Sequence, residues 1–114
     1  VKVEILHDNR NTLDDVRGCA QSCAAAGKSR LAVITVMVHT ARTARLLEAA
    51  GNPALASKAL IIPSELLLEE RYRPHPSITE SLRGLAASRA FALSLLHEQE
   101  GLSALAQGCY KGLP

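Results

Sequence analysis

The first residues of the chain alternate between apolar and charged side chains. Positions 1, 3 and 5 are apolar, whereas Lys2 and Glu4 between them are charged. This period-two spacing predicts a β-strand that ends near Leu6, before the polar segment HDNRN. Because the chain begins inside this pattern, we expect a single α/β domain over residues 1–114 or a fragment of one.

A helix and a second strand are predicted next. Thr12 followed by Asp15 resembles a capping box, and the apolar spacing that follows predicts a helix over about 13–26 that stops at Gly27. The run RLAVITVMV is apolar, rich in β-branched residues and without alternation. Such a run is typical of a strand that is buried on both faces of a parallel sheet.

The rest of the chain predicts one more strand among helices. Residues 40–50 favour a helix with Thr40 as its N-cap and Gly51 as its end, and KALIIP favours a third strand. Three helical segments follow: one from Ser64 to the breaker RPHP, one from the capping box SITE at 77–80 to about residue 99, and one over 102–107 that ends at Gly108.

The order of these elements is βαβαβα followed by helices. This order predicts an α/β fold with a small, mainly parallel sheet of about three strands in a Rossmann-like three-layer arrangement. Residues 1–63 form the βαβαβ core in this prediction, and residues 64–114 form a helical C-terminal extension.

Gly27, Lys28 and Ser29 resemble the end of a phosphate-binding loop. The first glycine of that motif is replaced by Ser22. The segment also joins a helix to a strand, whereas a phosphate loop joins a strand to a helix so that amide N–H groups point at the ligand. We therefore interpret Gly27 as the stop of the first helix and Lys28 as a solvated side chain.

Polar residues follow each predicted strand at its carboxyl end. Ligands of open α/β sheets bind outside this edge, and the positive N-termini of the following helices favour an anion there. We therefore predict a site for a negatively charged small molecule at this edge. Its candidate ligand-binding residues are Asn9, Asn11, Thr12, Thr40, Arg42 and Arg45.

The segment after the second predicted strand has two interpretations. Arg42 and Arg45 are spaced i, i+3 and could clamp one phosphate or carboxylate, with His39 as a candidate catalytic acid or base. Alternatively, Arg45 pairs with Glu48 on the helix surface and His39 merely ends a strand. The sequence leaves both open.

Composition and charge disfavour several classes of function. The net charge of +2 comes from 13 basic and 11 acidic residues spread along the chain, and few residues are aromatic, so nucleic-acid binding is disfavoured. No apolar run approaches the ~20 residues of a membrane span, and the first residues are unlike a signal peptide.

Three cysteines without a disulfide framework fit a reducing compartment, so we expect a cytoplasmic protein. The four histidines are scattered, and no metal site is predicted.

Two motifs resemble those of the SanA/ElyC/YdcF family of bacterial α/β proteins. They are NTLDDV and VITVMVHTARTARLLEAAG, each beside a predicted strand. The matching positions are Asn11, Thr12, Asp14, Thr35, His39, Arg42 and Gly51. The family's first half, a strand with a glycine-containing loop, has no counterpart before Val1. The resemblance therefore implies the carboxyl-terminal half of such a domain.

This resemblance implies a biological role but does not specify a reaction. It adds Thr35 to the candidate ligand-binding residues and links the chain to bacterial envelope metabolism. It also implies S-adenosylmethionine or a nucleotide as a cofactor. Asp15 departs from the pattern, because the family usually has Asn or Ser there.

Two hypotheses about function follow. The first is a domain that binds an anionic, phosphorylated or nucleotide-type small molecule, with enzymatic activity left open. The second is a non-catalytic interaction or oligomerisation module, whose long apolar helix over 78–99 packs on a partner or a second copy. A homodimer is compatible with both, because a second copy could complete the pocket.

Overall fold

The computed structural model describes residues 3, 5, 9–50, 53–73 and 75–111. Within these ranges the chain is mostly helical, with a small parallel sheet. The elements are α1 (Thr12–Ala25), β1 (Ala32–Thr35), a 3₁₀ helix (Met37–His39), α2 (Thr40–Ala50), α3 (Pro53–Ala56), β2 (Leu60–Pro63), α4 (Ser64–Tyr72), α5 (Pro76–Ala86) and α6 (Arg89–Ala106). Over the described ranges, none of these helices is long and apolar enough to cross a membrane.

The sheet consists of β1 and β2, which pair in parallel and are joined through α2 and α3. The predicted strand that ends near Leu6 lies outside the described residues except for Val3 and Ile5. These two residues are exposed and belong to neither a helix nor a strand. A two-stranded parallel sheet among helices is therefore what the structure shows, and the third strand with its Rossmann-like layering stays a prediction.

In the described part of the chain, the two faces of this sheet are covered unequally. Val33 and Ile61 pack against the core, whereas Ile34 and Leu60 on the opposite face are largely exposed. Successive residues of a strand point to opposite faces, so helices on one side leave the other side open. The predicted burial of the second strand on both faces is wrong. The strand is also shorter than predicted, because β1 ends at Thr35.

The boundaries of α1 follow from its capping residues. The Asn11 side chain accepts a hydrogen bond from the backbone N–H of Asp14, so the N-cap lies one residue before the predicted Thr12. Gly27 follows the last turn with a φ of +64°, a conformation that glycine adopts without a steric penalty. The interpretation of Gly27 as a helix stop is confirmed.

The C-terminal helices differ from the predicted ones. The motif SITE at 77–80 lies inside α5, because Pro76 fits the first turn and the helix begins there. A new helix, α6, begins after Ser88, whose hydroxyl accepts a backbone N–H as the N-cap. α6 then continues past the predicted break after residue 99 and ends before Gly108, which has a φ of +71°.

The hydrophobic core is small and lies between α1 and α2. Leu13 and Val16 of α1 pack with Leu46 and Leu47 of α2 in one buried cluster. α2 also packs against α6, which contributes the partly buried Leu105 to the same cluster. α2 is therefore the element that joins the sheet side of the molecule to α6.

Candidate functional site

One buried carboxylate holds two of the residues that the sequence assigned to the site. Oε1 of Glu98 lies 2.6 Å from Nδ1 of His39 and 2.8 Å from Nη2 of Arg42. The side chain of Glu98 is 5% exposed, that of Arg42 is 12% exposed and that of His39 is 36% exposed. The cluster therefore reaches solvent mainly through the histidine ring.

Local geometry explains how the three side chains meet. His39 ends the 3₁₀ helix and Arg42 lies in the first turn of α2, three residues later, so both side chains project from the same side. Gly101 lies one turn after Glu98 in α6, and a Cβ built there would be 3.1 Å from Cδ of Arg42. The missing side chain of Gly101 therefore lets α6 approach α2 closely.

Glu98 is not among the residues that the sequence assigned to the site. It lies on the same stripe of α6 as Gly101 and Leu105, at helical spacing, and Leu105 packs against the core. An acidic residue on the inward stripe of a helix is a signal of a buried partner. The predicted break after residue 99 concealed this stripe, because it separated Glu98 from Leu105.

The pair of arginines does not form a clamp in this structure. Arg42 bonds to Glu98, whereas Nη1 of Arg45 lies 3.0 Å from Oε2 of Glu48 in an exposed i, i+3 pair. The alternative interpretation of Arg45 as a surface partner of Glu48 is therefore confirmed. Such exposed pairs contribute about 0–1 kcal/mol to stability.

Side chains of the protein also accept hydrogen bonds from backbone N–H groups near the N-termini of helices. Asn11 accepts from the N–H of Asp14, and Oδ2 of Asp14 accepts from the N–H of Arg10 at 3.0 Å. At the start of the 3₁₀ helix, the N–H of Met37 donates to Oε2 of Glu65 at 2.8 Å. These oxygens take positions that the sequence assigned to an external anion.

Of the remaining predicted ligand-binding residues, Thr40 forms a local hydrogen bond, whereas others line a groove. Oγ1 of Thr40 donates to the Met37 carbonyl at 2.9 Å. Asn9, Thr12 and Thr35 lie together along a groove of about 360 Å³ at the carboxyl end of β1. The structure thus separates the groove residues from the cluster of His39, Arg42 and Glu98, which does not line the groove.

The comparisons with known proteins add no identification. Neither the protein-family models, nor the curated proteins, nor the solved structures contain a match to this chain. The resemblance to the SanA/ElyC/YdcF family stays a prediction.

The carboxylate of Asp15 and the thiol of Cys19 both line the groove. Oδ1 of Asp15 accepts a hydrogen bond from Nδ2 of Asn9 at 3.0 Å. Burial raises the pKa of the Cys19 thiol, and the negative charges of Asp15 and Cys23 act in the same direction. The thiol therefore stays protonated over a wider pH range and is a poor nucleophile.

The cluster of His39, Arg42 and Glu98 can hold the histidine ring in a defined orientation. With Glu98 ionised, the Nδ1–H of His39 donates to it, which fixes the orientation of the ring and leaves Nε2 as the acceptor. Within the described ranges, no hydrogen bond is formed by Nε of Arg42 or Oε2 of Glu98, and both atoms are buried. Nor do the described residues contain a group of three His, Cys, Asp or Glu that could hold a metal ion.

Proposed function

We propose that this chain binds a small anionic molecule, of the phosphorylated or nucleotide type, beside His39 at the carboxyl end of β1. The supporting observation is the single oxygen of Glu98 that holds both His39 and Arg42. A histidine fixed through Nδ1 by a buried carboxylate presents its other nitrogen in a defined direction. That nitrogen is the contact that we assign to the ligand.

The charge of the cluster supports an anionic ligand only when the histidine is protonated. The charges of Arg42 and Glu98 cancel, so the cluster is neutral with a neutral His39 and carries one positive charge with a protonated ring. A protonated ring donates from both nitrogens, so Nε2 would donate to the anion while Nδ1 donates to Glu98.

Titration with inorganic phosphate, followed through the histidine ring signals in two-dimensional NMR spectra, tests the site. Phosphate should shift the His39 signals, and His39→Gln should weaken binding by about tenfold, which corresponds to roughly 1.4 kcal/mol. The matched control is His97→Gln, because His97 lies on α6 with an exposed side chain that faces Glu100. Unchanged phosphate affinity in His39→Gln, or equal losses in both variants, would contradict the proposal.

The wider setting of this function comes from the sequence alone. By the resemblance of the two motifs we propose a role linked to bacterial envelope metabolism, with S-adenosylmethionine or a nucleotide as the bound cofactor. The cytoplasmic location that we propose rests on the three cysteines instead. If the bound molecule is turned over, His39 is the residue that we assign to proton transfer. Adenosine 5′-monophosphate in the same NMR titration separates a nucleotide site from a simple phosphate site, because only the former binds it more tightly than phosphate.

A second candidate function is self-association through α6. Leu93 and Leu96 are 54% and 57% exposed, although both lie in the middle of an eighteen-residue helix. The face of the sheet that carries Ile34 and Leu60 is exposed as well. These apolar surfaces favour a non-catalytic module that forms a homodimer.

A further inference from the structure

We propose that the groove at the carboxyl end of β1 is a separate binding site for a small, neutral, polyhydroxylated molecule such as a monosaccharide. We call it the threonine groove, because Thr12 of α1, Thr35 of β1 and Thr43 of α2 line it. This site does not depend on the anion proposed beside His39, which lies outside the groove lining.

Thr43 supplies the observation that points to a ligand. Thr43 is only 3% exposed, and its Oγ1 is buried without a hydrogen-bond partner in the described part of the chain. Buried hydroxyl groups are normally hydrogen-bonded, because they have lost their contacts with water. Thr43 lines the groove, so its unpaired hydroxyl is the group that we assign to a bound molecule.

Several hydroxyl groups in helices, or directly after one, form a hydrogen bond that Thr43 lacks. The side chains of several serines and of Thr40 donate to a backbone carbonyl three or four residues earlier, as is usual in helices. These bonds are formed by Thr40, Ser57, Ser81 and Ser94. No hydrogen bond is formed by Oγ1 of Thr43 in the described residues.

The charges of the lining select the chemical class of the ligand. Asp15 is the charged residue of the described lining, and its carboxylate repels an anion. It already accepts from Asn9 and retains capacity to accept from a ligand hydroxyl. Threonine hydroxyls donate and accept, as sugar hydroxyls do, and the apolar side chains of Val16 and Leu47 can contact the carbon-bound hydrogens of a sugar ring.

The size of the groove limits the ligand to a small molecule. Its volume of about 360 Å³ lies near the lower end of the range of about 300–1,000 Å³ for ligand pockets. A single sugar ring fits such a space better than a dinucleotide does. D-ribose is therefore the probe that we choose.

Titration with D-ribose, followed through backbone amide signals in NMR spectra, tests the proposal. Thr43→Val keeps the shape of the side chain and removes its hydroxyl, so it should weaken ribose binding by about tenfold. Its free energy of unfolding should not fall, because the removed hydroxyl is unpaired. Thr43→Ser should retain binding. The matched control is Thr79→Val on α5, outside the groove, which should bind ribose as the unaltered chain does.

The outcomes of this experiment are separable from those of the phosphate titration. Absence of ribose binding in the unaltered chain, or unchanged affinity in Thr43→Val, overturns the threonine groove whatever phosphate does. Loss of phosphate binding in His39→Gln with ribose binding intact supports two separate sites. Ribose binding without any phosphate binding contradicts only the proposal of an anion site beside His39.

Discussion

Glu98 is buried in α6, the helix that packs against α2 and the 3₁₀ helix. Its carboxylate is almost completely buried, and removing an ionised group from water costs several kcal/mol unless partners compensate. Arg42 and His39 both bond to the same oxygen and supply that compensation. The second oxygen has no partner in the described residues, so the compensation is incomplete.

Replacing this carboxylate should be costly. Glu98→Gln leaves the charge of Arg42 buried without a counter-charge, and the free energy of unfolding should fall by about 3 kcal/mol, as measured by urea denaturation. Glu100→Gln is the matched control, because Glu100 lies two residues away on α6 with an exposed side chain. It should change stability by less than about 0.5 kcal/mol. A similar small effect of Glu98→Gln would show that the pair contributes little.

The stability of the protein should also depend on the protonation of Cys19. Burial raises the pKa of this thiol above its ordinary value of 9.0, with Asp15 as the next cause. The folded state thus holds the proton more tightly than the unfolded state does. The resulting contribution to stability is complete below the ordinary pKa and is lost as the pH rises through the raised value.

The corresponding measurement compares the unaltered chain with Cys19→Ala. The difference in their free energies of unfolding should be constant from about pH 6 to pH 8. At about pH 10 the unaltered chain should lose stability relative to Cys19→Ala. Asp15→Asn should reduce this shift, because it removes one of its causes. A difference that stays constant up to about pH 10 would contradict the assignment.

At the scale of elements, two glycines separate the effect of helix propensity from that of packing. Gly84 in α5 and Gly101 in α6 both lie within helices. A Cβ at Gly84 would meet no atom within 4 Å, whereas one at Gly101 would lie 3.1 Å from Cδ of Arg42. Because Arg42 is held by Glu98, it cannot move aside without weakening that ion pair.

Substitution of these glycines by alanine should therefore have opposite effects. Gly84→Ala should raise the free energy of unfolding by about 0.5–1 kcal/mol, the usual gain of alanine over glycine in a helix. Gly101→Ala should lower it by roughly 1 kcal/mol, because the added methyl separates α6 from α2. Thermal or urea denaturation measures both. Equal gains in the two variants would show that α6 does not approach Arg42 as closely as the structure indicates.

At the scale of the whole molecule, the buried core is small for the apolar content of the chain. Hydrophobic residues make up 47% of the sequence. The buried apolar side chains among the described residues are Leu13, Val16, Leu46, Leu47 and Leu55. Much of the remaining apolar surface lies on α4, on α6 and on one face of the sheet. From this exposed apolar surface we predict that the chain associates with itself.

Light scattering over a range of protein concentrations measures this association. The unaltered chain should increase in mass from 12.2 kDa towards that of a dimer, because pairing removes exposed leucines from water. The double variant Leu93→Glu/Leu96→Glu should stay monomeric. Gln99→Glu, also exposed on α6, is the control for added charge and should still associate. A constant monomeric mass of the unaltered chain would count against this candidate function.

The sequence by itself determined the local features of this protein. Three of these features follow from the preferences of neighbouring residues. They are the stop of α1 at Gly27, the extent of α2 over Thr40–Ala50, and the third predicted strand, which is seen as the shorter β2. The sequence also placed His39 and Arg42 together at the carboxyl end of the second predicted strand, and it spaced Arg42 and Arg45 as neighbours on α2. Spacing along a helix fixes such neighbours whatever the rest of the chain does.

Only the tertiary structure decided which residues those side chains meet. Glu98 neutralises Arg42 because α6 crosses α2 at Gly101, and no local pattern specifies that crossing. The open face of the sheet was decided in the same way, since a β-branched run does not show which of its faces a helix will cover. Contacts between distant segments depend on how whole elements pack, and this is why the sequence indicated candidate residues for a site but not the residues that they contact.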